Sequence, residues 1–133
     1  MKPETAEFIA YAIKLLGDAD KMLDTGLDDH AARTAYLACF HVARAYTFER
    51  NNRTSKTHGG VQTEFFRLSK DDHRSDPELR AFLTTAYHYK SISDYETGPE
   101  DTPTPEEARE AVEIARRFVA QFALLAPLPD AEP

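Results

Sequence analysis

Basic and imidazole side chains lie along one flank of the most apolar stretch of this sequence. Residues 31–48 read AARTAYLACFHVARAYTF, contain no Asp or Glu, and have Arg33, His41 and Arg44 as their only basic or imidazole residues. In an α-helix, residues three or four positions apart are neighbours on one face. One such line follows the whole stretch and consists of Arg33, Leu37, His41, Arg44 and Phe48. We expect this flank to contact an anion or another polypeptide. The predicted dimer interface consists of Arg33, Leu37, His41 and Phe48.

A second group with phosphate-binding chemistry occupies a turn that leads into a short helix. Residues 55–60 read SKTHGG. Backbone N–H groups at a helix N-terminus attract anions, and Lys and His side chains add positive charge beside them. The predicted phosphate contacts in this turn are Lys56, His58, Gly59 and Gly60. The alternative is an ordinary helix start, with Thr57 or His58 as the N-cap and glycines that relieve a close approach of the chain.

The fourth predicted helix carries a third polar group near its C-terminal end, formed by Lys90, Asp94 and Tyr95. One interpretation is a polar pocket, possible also across a dimer, in which Arg44 and Lys90 hold a phosphate. The alternative is a buried polar cluster in which Asp94 neutralises one of these cations and His41 pairs with a backbone carbonyl. The sequence leaves both interpretations open.

The distribution of charge favours the middle of the chain as the place for an anion. The 133-residue chain has a formal net charge of −7, which disfavours general coating of nucleic acid, because such binding rests on Lys and Arg neutralising phosphates. Residues 31–70 nevertheless hold seven Lys and Arg against two Glu, whereas residues 1–30 and 71–133 are both acidic. All of the positive excess therefore lies in the second helix and the segment that follows it.

Hydrophobic periodicity and helix end signals predict that five helices position these groups. The predicted helices cover residues 4–24, 29–50, 59–69, 77–96 and 105–125. Gly26 is expected to end the first helix, and the sequence Thr104-Pro105-Glu106-Glu107 predicts a capping box at the start of the last. Since connections are short and strand patterns are missing, the fold class is all-α, an antiparallel up-and-down bundle of four long helices plus one short helix. The second helix is apolar nearly all round and should be buried nearly all round.

Length and composition predict a single domain over residues 1–126, followed by a frayed tail over residues 127–133. No run of about 20 apolar residues and no signal-peptide pattern occurs, so we expect a cytoplasmic protein without membrane contact. Cys39 is the only cysteine, which excludes an intramolecular disulfide and a multi-cysteine zinc site, and we interpret it as a core residue. His-Glu-x-x-His and Glu-x-x-His patterns are also missing, so we expect neither a metal nor a cofactor.

Four sequence elements occur in order over residues 28–120: AARTAYLACFHVARAY, SKTHGGV after a basic loop, SDYE at the end of the fourth helix, and TPEEAREAVEIARRFV. In that order and spacing they resemble the HEPN domains (higher eukaryotes and prokaryotes nucleotide-binding), specifically the small stand-alone bacterial and archaeal branch. The resemblance implies a helical bundle that dimerises, usually through the helices carrying the polar motif. Many such relatives are metal-independent ribonuclease toxins or partners of a small nucleotidyltransferase, and others are inactive nucleotide-binding or scaffold modules.

Catalytic members of that family carry an Arg followed, after four to six residues, by a His near the end of the fourth helix. Lys90 and Tyr95 occupy the matching positions in this chain. An imidazole with a pKa near ~6.5 accepts a proton from a ribose 2′-hydroxyl at neutral pH, whereas a phenol with a pKa near ~10 stays protonated. The expected base is therefore lost, and an enzyme would need His41 or His58 in its place.

Two other pairs match the Arg-to-His spacing literally, namely Arg53 with His58 and Arg67 with His73. Both pairs lie around the short third helix, and about one such match is expected by chance in a chain with ten Arg and five His. Neither pair is therefore predicted to be catalytic.

The sequence favours a non-catalytic, dimeric HEPN-like module that binds a nucleotide or RNA phosphate, or that docks on a nucleotidyltransferase partner. Two alternatives stay open: a metal-independent ribonuclease toxin of a toxin–antitoxin pair, and a plain dimerisation scaffold. RNA cleavage that persists in chelator distinguishes the ribonuclease, and thermal stabilisation by nucleotides distinguishes the binding module.

Overall fold

Five α-helices form the secondary structure of the part of the chain that the structure describes. The computed structural model describes residues 1–95 and 102–129, without the side chains of residues 93–95. In chain order the helices are α1 (Pro3–Asp24), α2 (Asp28–Asn51), α3 (His58–Ser69), α4 (Pro77–Tyr95) and α5 (Pro105–Leu125). The predicted all-α class is confirmed, and each predicted helix end that falls on a described residue lies within one residue of the observed one, whereas the predicted end of the fourth helix at residue 96 lies outside the described residues. None of these helices has both the length and the apolar character that crossing a membrane requires.

Local sequence signals account for most of the helix ends. Gly26 has φ 77° and follows α1, where the Leu27 N–H donates to the Met22 carbonyl at 2.8 Å. At the start of α5, the Glu107 N–H donates to Thr104 Oγ1 at 3.1 Å and the Thr104 N–H donates to Glu107 Oε1 at 3.0 Å. The predicted capping box is therefore present.

Helix α2 is the central element of the bundle and packs against each of the other four helices. Its contact surface consists largely of small residues, because six of its alanines are fully buried: Ala31, Ala32, Ala35, Ala38, Ala43 and Ala45. A methyl group occupies little space, so the neighbouring helices approach the α2 axis closely. The prediction that this helix is buried nearly all round is confirmed.

Four aromatic rings form a cluster in the core, where the C-terminal half of α2 meets α3 and α5. The Phe65 ring lies 5.5 Å from the Tyr46 ring, 5.7 Å from Phe118 and 4.9 Å from Phe122, measured between ring centroids. All four side chains are at most 1% exposed. Nearby, the Arg50 guanidinium donates to the carbonyls of Leu125 and Ala126 at 3.1 and 2.9 Å, which ties the end of α5 to α2.

Helix α4 runs antiparallel to α2. The start of α4 lies beside the end of α5, because the Asp76 N–H donates to Gln121 Oε1 at 2.9 Å. The end of α5 lies beside Arg50 at the end of α2. The start of α4 is therefore near the end of α2. Further along α4, the Tyr87 ring lies 5.5 Å from the Tyr36 ring in the first half of α2. This direction sets which side chains of α4 reach each end of the predicted polar flank.

Candidate functional site

The predicted flank of α2 is the one part of this helix that reaches solvent between residues 31 and 49. Five positions in this range are half-buried, namely Arg33, Leu37, His41, Arg44 and Phe48, and every other position is buried. The spacing of four, four, three and four residues thus gives a single accessible stripe on an otherwise enclosed helix. Any ligand or partner that contacts the middle of α2 must do so along this stripe.

His41 lies in the centre of the stripe among aromatic rings. Its ring centroid is 4.7 Å from that of Tyr11 on α1 and 5.2 Å from that of Phe40. Burial, followed by the nearby charges of Arg44 and His58, lowers the pKa of His41 from 6.5 to about 4. His41 is therefore neutral at pH 7, and its buried Nδ1 atom has no hydrogen-bond partner. The predicted alternative in which His41 pairs with a carbonyl is not supported at this nitrogen.

Arg44 lies one turn further along the stripe. Its guanidinium carbon is 4.5 Å from the centroid of the Phe8 ring and 5.7 Å from that of Phe40, within the range of cation–π contacts. Burial lowers its pKa, and its buried Nε atom has no hydrogen-bond partner. Within the described part of the chain, no carboxylate forms an ion pair with Arg44, and the contacts of its charged group are cation–π contacts with Phe8 and Phe40.

His58, the first residue of α3, packs on the opposite part of the same aromatic ring system. Its ring stacks on Phe40 at 4.2 Å between centroids, and its Nδ1 atom lies 2.6 Å from the Tyr36 hydroxyl oxygen. Burial raises the pKa of Tyr36 well above its ordinary value, so the phenol stays protonated where it shares a hydrogen bond with His58 Nδ1.

Two imidazoles and one guanidinium therefore converge on Phe40 from α2 and α3. We call this group the His41 patch, and define it by His41, Arg44 and His58. Exposed aromatic side chains border it, since Tyr11 is 45% and Tyr87 is 36% exposed. Positive or potentially positive groups next to apolar rings form a site that suits an anion, because an anion relieves the repulsion among them.

The structure corrects the interpretation of the glycine turn as an anion cradle at Gly60. The Gly60 N–H donates to Thr57 Oγ1 at 3.0 Å, so Thr57 is the N-cap of α3 and this amide is already used. A Cβ atom at Gly60 would overlap the Ser55 hydroxyl and lie 2.7 Å from Ser55 Cβ. Glycine is thus needed at position 60 for steric reasons, whereas Gly59 has open space beside it. Lys56 is exposed in the preceding turn.

These two glycines provide a matched pair of substitutions. We expect Gly60→Ala to lower the free energy of unfolding by about 1–3 kcal/mol, because the added methyl group overlaps Ser55 and disturbs the Thr57 cap. Gly59→Ala, in open space one residue earlier, should leave stability unchanged or raise it by about 0.5 kcal/mol. Urea denaturation followed by circular dichroism measures both values. Equal effects of the two substitutions would contradict the steric role of Gly60.

Lys90, the member of the predicted α4 group whose side chain the structure describes, is not brought to Arg44 within one chain. Tyr87 on α4 lies next to Tyr36 on α2. Lys90 is one helical turn beyond Tyr87, toward the N-terminal end of α2. Arg44 lies in the opposite direction, about 12 Å from Tyr36 along α2 at a rise of about 1.5 Å per residue. Lys90 is half-buried, and the side chains of Asp94 and Tyr95 lie outside the described residues. His58 on α3, rather than Lys90 on α4, is the residue that joins His41 and Arg44.

The literal Arg-to-His pairs do not form sites. Arg53 lines a separate polar cleft of about 260 Å³, while His58 stacks on Phe40. Arg67 pairs with Glu64, with 2.6 Å between Nε and Oε2, and His73 is exposed. Among the described residues, no three His, Cys, Asp or Glu side chains lie close enough together to hold a metal ion.

Sequence reasoning did not identify Tyr36, Phe40, Phe8 or Tyr11 as parts of the site. Tyr36 and Phe40 precede Arg44 at intervals of four residues, so they lie on adjoining turns, but their apolar character placed them in the core. Phe8 and Tyr11 come from α1, and their contact with α2 depends on how the two helices are rotated about their axes. Periodicity alone does not give that rotation.

The low pKa of His41 gives a pH dependence of stability. Between pH 6.5 and pH 4 the unfolded chain binds a proton at residue 41 that the folded protein does not, so stability falls as the pH falls through this range. Because the ring is only half-buried, we expect a contribution of about 1 kcal/mol. As the pH falls from 7.5 to 4.5, the wild type should lose about 1 kcal/mol more of its unfolding free energy than His41→Gln does. The control is Leu124→Gln on α5, which changes no titratable group at an exposed position and should show no such difference.

Comparison with known proteins places the chain in a family. Residues 5–123 match the HEPN domain, a range that contains the whole His41 patch. The chain is also similar to the UPF0332 protein of Archaeoglobus fulgidus, with 34% identity over 87 residues. The aligned segment covers 65% of this chain and 68% of the archaeal protein.

Proposed function

We propose that this protein, which belongs to the HEPN domain family, is a non-catalytic dimeric module that binds the phosphate of a nucleotide or of RNA at the His41 patch. The observation that carries the proposal is the pair of buried nitrogens, His41 Nδ1 and Arg44 Nε, that have no hydrogen-bond partner. Leaving buried polar groups unpaired is destabilising, and native proteins do so mainly where a ligand or another function needs them. Phosphate oxygens supply both the acceptors and the negative charge that this group lacks.

Binding of an anion should be coupled to protonation of His41. A phosphate next to this imidazole favours its charged form, so the pKa of His41 rises from about 4 toward its ordinary value when the ligand binds. The complex therefore takes up a proton, and affinity should increase as the pH falls from 7.5 to 5.5. Burial and, after it, repulsion by neighbouring charges lower the pKa of His41 in the free protein, and a bound anion would offset the repulsion.

Thermal shift titrations test the binding proposal. Inorganic phosphate, AMP and an oligouridylate are each titrated at pH 7.5 and pH 5.5, with chloride at equal ionic strength as the control. A melting temperature that rises with ligand concentration, more steeply at the lower pH, is the expected result. No shift with any of the three probes would contradict phosphate binding and leave docking on a nucleotidyltransferase partner or a plain dimerisation scaffold.

The dimer part of the proposal rests on the composition of the stripe. HEPN domains commonly dimerise, and the stripe has apolar side chains, Leu37 and Phe48, on either side of its cationic centre. Exposed Tyr11 and Tyr87 extend the apolar area beyond α2. Two copies facing each other along this stripe would cover these rings and bring two His41 patches together, so that one phosphate could be held between them.

Leu37→Glu tests the dimer. We expect this substitution to give monomers in multi-angle light scattering, because a carboxylate would lose its hydration at an interface that Leu37 contacts through apolar surface. Phe48→Glu should act in the same way. The control is Leu124→Glu on α5, where leucine is 79% exposed. Dimers that persist in both stripe variants, or monomers in the control, would contradict this interface.

A metal-independent ribonuclease is the second candidate, because one observation favours it specifically. Both imidazoles of the His41 patch contact Phe40, and His41 is neutral at pH 7, the state that a general base requires. Cleavage of a structured RNA that persists in chelator and disappears in both His41→Ala and His58→Ala would support this function. Absence of cleavage by wild-type protein under the same conditions would exclude it for that substrate.

A further inference from the structure

A second cationic cleft, distinct from the His41 patch, lies between the C-terminal half of α3 and the first turns of α4. Its volume is about 570 Å³, and three cationic side chains, Arg67, Lys70 and Arg80, surround a floor of Phe66, Pro77 and Ala81. The chain has 23 acidic and 16 basic residues, yet no Asp or Glu lines this cleft among the described residues. The local charge is thus opposite to that of the protein as a whole.

Arg80 is the residue that marks the cleft as incomplete. Its buried Nε atom has no hydrogen-bond partner, although the side chain as a whole is half-buried rather than enclosed. A buried donor of a charged group that lacks an acceptor is costly, and a carboxylate oxygen is the strongest acceptor that proteins offer it. The position of Arg80 therefore favours a ligand that carries a negative charge.

The two cations of α3 are available to the same ligand. Lys70 is exposed directly after the last residue of α3. Arg67 pairs with Glu64 across the surface, with the two side chains 57% and 36% exposed. Exposed ion pairs of this kind contribute little to stability, so Arg67 can exchange Glu64 for an incoming carboxylate at low cost.

We propose that this cleft docks an acidic segment of a partner protein, in which an apolar side chain lies between carboxylates. Arg67 and Lys70 are three residues apart on one face of α3, and Arg80 lies across the cleft on α4, so the cations surround the apolar floor rather than follow a line. One apolar side chain fills the floor and the neighbouring carboxylates meet the rim. The net charge of −7 opposes a long polyanion more strongly than a short acidic segment.

Peptide display tests the chemistry of the occupant without assuming its sequence. Random 12-residue peptides are selected on the wild-type protein and counter-selected on the variant Arg67→Gln/Lys70→Gln/Arg80→Gln. We expect the enriched peptides to share at least two Asp or Glu residues next to a Leu, Phe or Trp. Failure to enrich any peptide over the counter-selection, or enrichment of peptides without acidic residues, would overturn the proposal.

An enriched peptide, labelled with fluorescein, then gives affinities by anisotropy. Arg80→Gln should weaken binding at least about tenfold, and so should replacement of the peptide carboxylates by amides. Arg109→Gln on the solvated face of α5 and Arg44→Ala in the His41 patch should leave the affinity unchanged. Because the Arg44→Ala control removes the proposed phosphate site, failure of that function and failure of this cleft are separate results.

The Arg80 Nε–H resonance reports directly on the cleft. In a proton–nitrogen correlation spectrum this signal should shift when the acidic peptide is added and should not shift with an oligouridylate of equal charge. A shift with the oligouridylate but not with the peptide would overturn the proposal and identify the cleft as a contact for nucleic acid.

Discussion

Phe65→Ala lowers the free energy of unfolding by about 3–5 kcal/mol, the largest loss of stability that we expect from a single substitution in this protein. The Phe65 side chain is completely buried and its ring contacts Tyr46, Phe118 and Phe122. Truncation removes the contacts of one helix with two others and leaves a cavity that these rings cannot fill by small rotations. Urea denaturation at 25 °C, followed by circular dichroism, measures the change in midpoint and slope.

Phe66→Ala is the matched control for this prediction. Phe66 follows directly in α3 and packs against the core, but it is only half-buried, and its ring lies 5.8 Å from that of Phe65 between centroids. Its truncation should cost about 1–2 kcal/mol, because less apolar surface returns to water. If the two substitutions were equally mild, Phe65 would not be the residue that joins α3 to the core.

Arg44→Ala raises the dissociation constant for inorganic phosphate and for AMP at least about tenfold, which corresponds to the loss of a charge-assisted hydrogen bond. Arg44→Lys should recover part of the affinity, because the ammonium keeps the charge but lacks the planar guanidinium. Isothermal titration calorimetry at pH 6 gives the constants. The exposed Arg109→Ala variant, which removes one positive charge from a distant surface, should bind as the wild type does.

The same variant separates a binding role of Arg44 from a structural one. Without ligand, Arg44→Ala should melt within about 2 °C of the wild type, since the lost cation–π contact with Phe8 is offset by relief of an unpaired buried nitrogen. A large fall in melting temperature together with unchanged phosphate affinity would show that Arg44 stabilises the bundle and does not bind the ligand.

Helix periodicity predicted the fold and the accessible stripe because both follow from local rules. The start of α5 depends only on Thr104 and Glu107, which lie one turn apart. The stripe from Arg33 to Phe48 depends only on the spacing of residues along α2. A property that one helix determines by itself can be read from one segment of sequence.

The His41 patch and the rings around it could not be predicted in the same way, because they depend on how three helices pack together. His58 meets Tyr36 across 22 positions of sequence, and Phe8 meets Arg44 only because α1 is rotated toward it. The expected contact between Arg44 and Lys90 depends on the register of α4 along α2, which the sequence does not give. Tyr87, three residues before Lys90, already lies next to Tyr36, eight residues away from Arg44.

The close approach of Gly60 to Ser55 has a consequence for how the sequence can change among relatives of this chain. A Cβ atom at position 60 would overlap Ser55 and would also lie 2.8 Å from Thr57 Oγ1, so a side chain fits there only after both neighbours have changed. A lineage that begins with Gly60→Ala passes through a weakened protein. Positions 55, 57 and 60 should therefore covary, although none of them contributes a side chain to the hydrophobic core.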